Sequence, residues 1–596
     1  MNFNWMVEFV FWYPAIMAML WVLGSLIFYY SNERKHSLKL ERTPFVSILM
    51  PAHNESSVLV PVVEQMTKLN YPEYEIILIN DGSSDDTSQV MKALCKKYSC
   101  VRVVDLKKNC GKANALYLGL IASKGEILVG VDADSYLDKD ALRYLVSHFV
   151  NKNNGERVGA VTGNPRVRNR GSLLGKIQLC EYASIISLIK RTQRVLGKVM
   201  TVSGVCVAYR KRALLDCGFW DRDMMTEDIA VTWKLEKNFW DVRYEPRALC
   251  WMLVPETIKG LWRQRKRWAE GGLEVVFRHW DIFKSWRRRR LTPVYLEQVA
   301  TFFWSVCWLF LTVLLVVSEI RGEHVYTDLI WKSQFLSFVC LLQFCVAMFL
   351  ESRYDRDIMR STWSVIWYPI LYWYLNVFIT LGALLKSILP KKKLATWKSP
   401  DRGITQSEIE ESGETPMPDM VLENVYDQEL NRESHIEYEN KQKLWKRVIG
   451  IILTAVAWIY MLIYFAYMIY GIICDKTGRP VKEFLFYNYE RIRQTERFFG
   501  ILCMAILIEL LVLILWKEYN KRRFGTKRRR KFAPDISDQE IDDYFQLDPK
   551  LSAVFHNDKY IEVEETPVPD GIGQGRKAMK EHKRKMQEER MRRSAT

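Results

Sequence analysis

Residues 132–134 read Asp-Ala-Asp, residues 226–228 read Thr-Glu-Asp, and residues 264–268 read Gln-Arg-Lys-Arg-Trp. Asp132 and Asp134 can offer hard oxygen ligands to Mg²⁺ or Mn²⁺ and leave positions open for diphosphate oxygens. The loop is no EF-hand, because Leu137 stands where the turn glycine belongs and Arg143 where the closing glutamate belongs. Asp228, beside Glu227, stands where a helical pattern begins, so its carboxylate either favours the helix dipole or serves as a general base. Arg267 has the planar fork that matches a diphosphate, and Trp268 the flat face that stacks on a sugar. The same basic, tryptophan-ended run also suits a lipid surface. Lys112, in NCGKANAL, lacks the spacing of a P-loop; it either offsets charge on a nucleotide or is a surface lysine at a helix start.

These groups need a scaffold that gathers them. From 45 to about 135, the short apolar runs FVSILMPA, EIILIND, VRVVDL and EILVGVDAD alternate with helical stretches such as DTSQVMKALCKKYS. That alternation predicts βαβ units on a mostly parallel sheet, an α/β domain. Such sheets bind ligands beyond the carboxyl ends of their strands. Here those ends carry Glu55 in HNE, Asp81 in NDGSSD, and the 132–134 pair.

A chain of 596 residues that is 49% hydrophobic, with 21 Trp and 29 Tyr, is too apolar for an ordinary soluble protein. Apolar stretches near 6–30, 297–318, 329–350, 361–389, 447–474 and 498–516 suit the roughly 20 residues that cross a bilayer. The first lacks the basic start and small-residue end of a cleaved signal and reads as an anchor. The basic runs NERKHSLKLER, KSWRRRR and YNKRRFGTKRRRK read as cytosolic, which puts 31–293 inside the cell. KKK at 391–393 also reads as cytosolic, yet three stretches separate it from WRRRR. Either one stretch fails to cross, with 361–389 and its Pro369 the candidate, or the following linker is external. The net charge of +17 is concentrated beside membrane segments and in the tail, so the expected partner is the lipid bilayer and not nucleic acid. Twelve scattered Cys without a CxxC pair predict buried, reduced thiols, and neither a disulfide framework nor a zinc site.

Asp81, Asp-x-Asp, Thr-Glu-Asp and Gln-x-x-Arg-Trp follow one another in that order ahead of membrane segments. The series resembles the processive family 2 glycosyltransferases, which include cellulose, chitin, hyaluronan and poly-N-acetylglucosamine synthases. Longer stretches, VTGNPRVRNRGSLLGKIQ, SLIKRTQRV, MMTEDIAVTWKLE, EPRALCWMLVPETIKGLWRQRKRWAEGG and WKSPDRGI, are similar to the synthases of poly-β-1,6-N-acetyl-D-glucosamine, over about 5–405. Residues 415–565, with WKEYNKRRFG and SDQEIDDYF, resemble the small two-helix membrane partner of those synthases, so the chain reads as a fusion of two subunits.

The resemblance implies an α/β GT-A-type (Rossmann-like) cytosolic domain within a multi-pass helical protein of the bacterial plasma membrane. Its divisions are an anchor at 1–31, the catalytic domain at 32–293, transmembrane or interfacial helices at 294–400 and an acidic linker at 401–442. A two-helix membrane region with a cytosolic segment follows at 443–565, and a basic, disordered tail at 566–596. Glu55, Asp81, Lys112, Asp132, Gln264 and Arg267 would bind the donor, UDP-N-acetylglucosamine, with Asp81 at the uridine. Asp132 and Asp134 would hold Mg²⁺ or Mn²⁺, and Trp268 would bind the acceptor end of the growing poly-N-acetylglucosamine. Glu227 and Asp228 would be catalytic, Asp228 as the base in an inverting displacement of UDP by the acceptor's 6-hydroxyl. Cyclic di-GMP, a regulator of the resembled two-subunit system, is expected at basic residues 521–531, although no R-x-x-x-R with D/N-x-S-x-x-G element occurs. The alternatives are a sister synthase making hyaluronan, chitin or cellulose, which shared catalytic motifs do not separate, and a non-catalytic membrane receptor of the same fold. Intact Asp228 and Trp268 argue against the receptor.

Overall fold

The computed structural model describes residues 4–34, 40–151, 155–321, 327–387, 436, 444–482, 489–525, 534–569 and 572–573. The KKK run at 391–393, nearly all of the 401–442 linker, basic residues 526–531 and the tail after 573 lie outside the described residues.

Strands β1 (Val46–Ala52), β2 (Tyr74–Asp81), β3 (Val101–Leu106) and β4 (Ile127–Gly130) form at the four expected runs and pair in parallel, in the order β4-β1-β2-β3. Every residue of β1, β3 and β4 is buried. A parallel strand covered on both faces needs apolar side chains at successive positions, which is what these runs supply. Helices α2 (Ser56–Met66), α3 (Thr87–Lys97) and α4 (Lys112–Ala122) make the crossovers. The sheet then turns mixed, adding β5 (Tyr136–Leu137), β6 (Val158–Val167), β7 (Val207–Arg210) and β8 (Asp241–Met252). Between them run α5 (Ala141–Val150), α6 (Leu173–Glu181), α7 (Ile189–Leu196), α8 (Lys211–Cys217) and α9 (Glu227–Lys237), and α10 (Ile258–Arg278) follows β8.

Among the described residues, six segments are long and apolar enough to cross a membrane: 4–33, 286–320, 331–351, 368–386, 444–477 and 489–523. They carry α1 (Asn4–Phe28), α11 (Thr292–Ile320), α12 (Thr327–Glu351), α13 (Trp373–Ser387), α14 (Leu444–Thr477) and α15 (Tyr489–Asn520). Polar bonds fasten their ends to the α/β domain. Buried Arg191 of α7 pairs with both Glu33, after α1, and Glu351, at the end of α12. Arg290, before α11, donates to the Gly197 carbonyl at 3.2 Å, and Trp516 of α15 donates to the Leu196 carbonyl at 2.8 Å.

The stretch expected at 361–389 is not one helix. A 3-10 segment (Arg356–Ile366) and a π turn (Tyr368–Tyr372) interrupt it around Pro369, which has no N–H for the helical ladder, and α13 begins only at Trp373. Both ends of this piece touch the α/β domain: the Tyr372 hydroxyl donates to Glu181 at 2.8 Å, and the Lys386 ammonium to Glu270 of α10 at 3.0 Å.

The C-terminal segment is too polar to build a core of its own, and it borrows one. α16 (Asp538–Phe545), α17 (Pro549–Asn557) and β9 (Tyr560–Val563) lie against the α/β domain, β9 pairing in parallel beside β3. Phe545, Phe555, Ile561 and Ile572 join the apolar cluster that holds α4. Each such burial contributes roughly 1.5–3 kcal/mol, so the docking is well supported. Val568 and Ile572 are buried in the same cluster, so the docked segment runs past the boundary expected at 566. The twelve cysteines are free and mostly buried, but Cys345 and Cys503 are exposed on α12 and α15.

Candidate active site

Two loops at the carboxyl end of the sheet set the first half of the site. Asp81, the last residue of β2, is fully buried and accepts from the N–H groups of Cys110 and Gly111, each at 2.8 Å. Burial raises its carboxyl, and those two N–H bonds oppose the shift. Gly82, at φ +61°, lets the 81–84 loop press on the next one, where a Cβ would fall 2.3 Å from the Asn109 nitrogen. The pinned loop turns through Gly111, at φ +90°, into α4, whose first residue is Lys112. The Lys112 ammonium lies 2.6 Å from Asp132 and 3.4 Å from Glu227, so one cation joins the start of α4 to the end of β4 and the start of α9.

The second half comes from α9 and α10. Glu227 and Asp228 occupy the first turn of α9, where the helix dipole favours negative charge. Asp228 accepts from the Ile229 N–H at 2.9 Å and the Gly204 N–H at 3.3 Å. Burial and then repulsion by Glu227 push its carboxyl up to about 6, against the attraction of Lys112 and Arg267. α10 rests on the start of α9 at Gly271, where a Cβ would fall 2.0 Å from Thr226 Oγ1. Gln264, Arg267 and Trp268, spaced i, i+3, i+4, share one side of α10. Arg265 bonds buried Glu181 at 2.6 Å, and its guanidinium lies 4.1 Å over the Trp268 ring. A cation–π contact thus fixes the indole while it remains in the wall of the site.

A cavity of ≈ 470 Å³ is lined by Lys112, Asp132, Glu227, Asp228, Gln264, Arg267 and Trp268. That size suits one nucleotide-sized ligand. Gln264 Oε1 is buried there without a hydrogen-bond partner, an acceptor awaiting a donor. The cavity extends to Glu297 and Gln298 of α11 and to Asn376 and Thr380 of α13, so it opens among the membrane helices.

Three expected residues are placed otherwise. Glu55 is 1% exposed at the start of α2, its N–H donating to Thr87, and neither it nor Asp81 lines the cavity. Asp81 sits in the loop framework, where the backbone N–H groups of a tight loop need a buried acceptor. Half-buried Asp134 accepts from the Ser135 hydroxyl at 2.7 Å. Among the described residues, no three His, Cys, Asp or Glu converge as a complete metal site. Asp132 and Asp134 are hard-oxygen donors that fit a cation drawing its other ligands from diphosphate and water.

Lys190 was not foreseen. It lines the cavity, and its ammonium lies 2.6 Å from Ser203 Oγ and 3.3 Å from Thr162 Oγ1. Burial lowers it to about 8 although Asp228 attracts its charge. Its signal in the sequence is a lone lysine closing the apolar run SIISLIK.

Residues 43–271 match the family described as glycosyltransferase-like family 2, and residues 436–566 match that of PgaD-like proteins. The chain is 41% identical over 412 residues to a poly-β-1,6-N-acetyl-D-glucosamine synthase of Staphylococcus epidermidis, an alignment covering 67% of this chain and 99% of that one. It is 40% identical over 418 residues to the synthase of the same name from Staphylococcus aureus, again over 67% and 99%. A solved mannosyltransferase of Pyrobaculum calidifontis aligns with 65% of this chain and 100% of its own, at 15% identity and a TM-score of 0.42.

Proposed function

The chain belongs to the glycosyltransferase-like family 2, among the poly-β-1,6-N-acetyl-D-glucosamine synthases, and on that premise we propose how its own residues perform the reaction. It is a multi-pass membrane enzyme that polymerises N-acetylglucosamine from UDP-N-acetylglucosamine into a β-1,6-linked chain. The observation that carries the mechanism is the meeting of Lys112 with Asp132 and Glu227 in the same cavity as Asp228 and Trp268.

The donor diphosphate lies against Lys112 at the start of α4, and Arg267 forks onto it from α10. Trp268 stacks on the terminal sugar of the acceptor and sets its 6-hydroxyl toward Asp228. Asp228 takes the hydroxyl proton as the oxygen bonds to the anomeric carbon of the donor. The bond from that carbon to the diphosphate oxygen breaks on the opposite face, UDP leaves, and the configuration inverts from α to β. Lys112 and Arg267 stabilise the charge that grows on the departing diphosphate. Asp132 and Asp134 would hold a divalent cation, which when bound neutralises part of that same charge. Walls drawn from α10, α11 and α13 keep bulk water from competing with the acceptor.

The active domain is cytosolic in this reading, and the polymer leaves through the end of the cavity lined by Gln298, Asn376 and Thr380. The helix anchors support five crossings: α1 once, α11 with α12 and α14 with α15 as hairpins, while 368–386 returns to the domain it left. Lys391–Lys393 is then cytosolic without a parity conflict. Cyclic di-GMP would act at basic residues 521–531, of which Lys521, Arg522 and Arg523 are exposed after α15; equal synthesis with and without it would remove this part.

Membranes containing the chain, given labelled UDP-N-acetylglucosamine and Mg²⁺, are expected to form a polymer that a β-1,6-specific hexosaminidase digests. A resistant polymer would move the chain to a sister synthase making hyaluronan, chitin or cellulose, and the absence of donor turnover would revive the receptor.

A further inference from the structure

Helix α4 carries Lys112 at its start, yet its sequence, KANALYLGLIA, is apolar almost all round, and nine of its residues are buried. A helix without a solvent face must be covered on both sides. The sheet covers one side, with Ile79 and Leu49 against Gly119. The other side lies in the cluster of Tyr544, Phe545 and Phe555 from the C-terminal segment, with Phe545 ringed against Tyr117 at 5.6 Å. Strand β3, which would otherwise be a bare edge, is covered by β9.

The contacts continue from this cover into both loops of the site. The Lys107 N–H donates to the Val563 carbonyl at 3.1 Å, at the point where β3 runs into the 107–111 loop. The Tyr560 hydroxyl donates to Asp105 Oδ2 at 2.8 Å; Asp105 Oδ1 accepts from the Asn80 amide at 2.7 Å, and Asn80 Oδ1 accepts from the Ser83 N–H at 3.1 Å. A chain of hydrogen bonds therefore runs from β9 to the 81–84 loop. The Thr566 hydroxyl donates to buried Asn114 Oδ1 at 2.9 Å, two residues beyond Lys112. Gly573 accepts from the Arg222 N–H at 2.7 Å, and a Cβ there would lie 2.8 Å from the Trp220 carbonyl, so the segment is seated closely to its end.

We propose that the segment 560–569 is a clamp on the donor loops, with Tyr560 and Thr566 as positioning residues that set the affinity for the nucleoside diphosphate sugar from behind the site. The proposal rests on the reading of the 81–84 and 109–112 loops as the donor side. It gives the PgaD-like part of the chain a role in binding substrate, through strand addition and two hydroxyl contacts. Neither hydroxyl lines the cavity, so their loss loosens the loops and leaves Asp228, Arg267 and Trp268 in place.

The test uses the full chain in membranes, with polymer synthesis and UDP binding measured side by side on Tyr560→Phe, Thr566→Val, the double variant and Thr566→Ser. Each lost hydrogen bond is expected to raise the KM for UDP-N-acetylglucosamine and the Kd for UDP about threefold, the pair about tenfold, with kcat within about twofold. Thr566→Ser, which keeps the hydroxyl, is expected to match the wild type. Unchanged KM and Kd in the double variant, or a fall in kcat with both unchanged, would overturn the clamp. Should the double variant fail to accumulate, Thr566→Val against Thr566→Ser decides by the same readings. Wild-type chain that binds UDP but makes no polymer would count against the enzymatic reading, while the UDP affinities of the variants would still judge the clamp.

Discussion

Asp228 must be ionised to accept a proton, and its surroundings resist that ionisation. With its carboxyl raised to about 6 by burial and by Glu227, synthesis should fall about tenfold per pH unit below that value, read as kcat/KM against pH. The same shift fixes a stability prediction. A carboxyl whose folded pKa exceeds its ordinary 3.8 favours the fold while protonated, and that contribution is lost as pH rises through about 6. Asp228→Asn, which never ionises, should therefore unfold at a higher temperature than the wild type at pH 7.5, with the gap closing below about pH 4. Residues of this kind were legible because function places them in short motifs: Asp132, Asp228 and Trp268 lie in the cavity as their spacing suggests. Asp81 shows that a carboxylate at a strand end also serves as a buried anchor for loop N–H groups, a role its spacing does not reveal. Lys190 left only a lysine at the end of an apolar run, and the Glu181–Arg265–Tyr372 cluster gave no motif because its members stand 84 and 191 positions apart in the chain.

At the scale of elements, α9 and α10 are set against each other by the absence of one side chain. Gly271→Ala puts a methyl group 2.0 Å from Thr226 Oγ1, and since that atom belongs to the residue before Glu227, the first turn of α9 has to move. Displacement of a base by even a fraction of an ångström is costly, so synthesis should fall by about tenfold or more while the chain still inserts. Wild-type rates in this variant would mean that the helices tolerate separation. The parallel strands were readable because burial on both faces demands continuous apolar runs, and all four lie where VSILMPA, EIILIND, VRVVDL and ILVG stand. β9 was not, because YIEV is short, alternating and set among polar residues, and becomes a strand only beside β3. The segment 361–389 shows the reverse: hydropathy makes it look continuous, and Pro369 with its neighbours breaks it.

For the whole molecule, the pairing of β9 with β3 puts the chain that follows α15 on the side of the catalytic domain, and the proposed crossing of α14 and α15 as a hairpin would put the start of α14 there too. A cysteine introduced as Ser412→Cys should thus stay unlabelled by a membrane-impermeant thiol reagent in intact cells, whereas Glu323→Cys, between α11 and α12, should label. Labelling at 412 would require 368–386 to cross and the linker to be external. The overall plan, an α/β domain held beneath apolar helices, was legible from composition and hydropathy; the wrapping of the C-terminal segment over α4 was not, because it depends on a surface assembled from residues some 450 positions away. The central claim is that Asp228 performs the proton transfer within a donor site that stands without it. The most direct test measures UDP binding and polymer formation on the same membranes carrying the wild type or Asp228→Asn. UDP affinity within about threefold of the wild type, with polymer formation down by about a thousandfold, is the expected result. Polymer formation by Asp228→Asn within about tenfold of the wild type would contradict it.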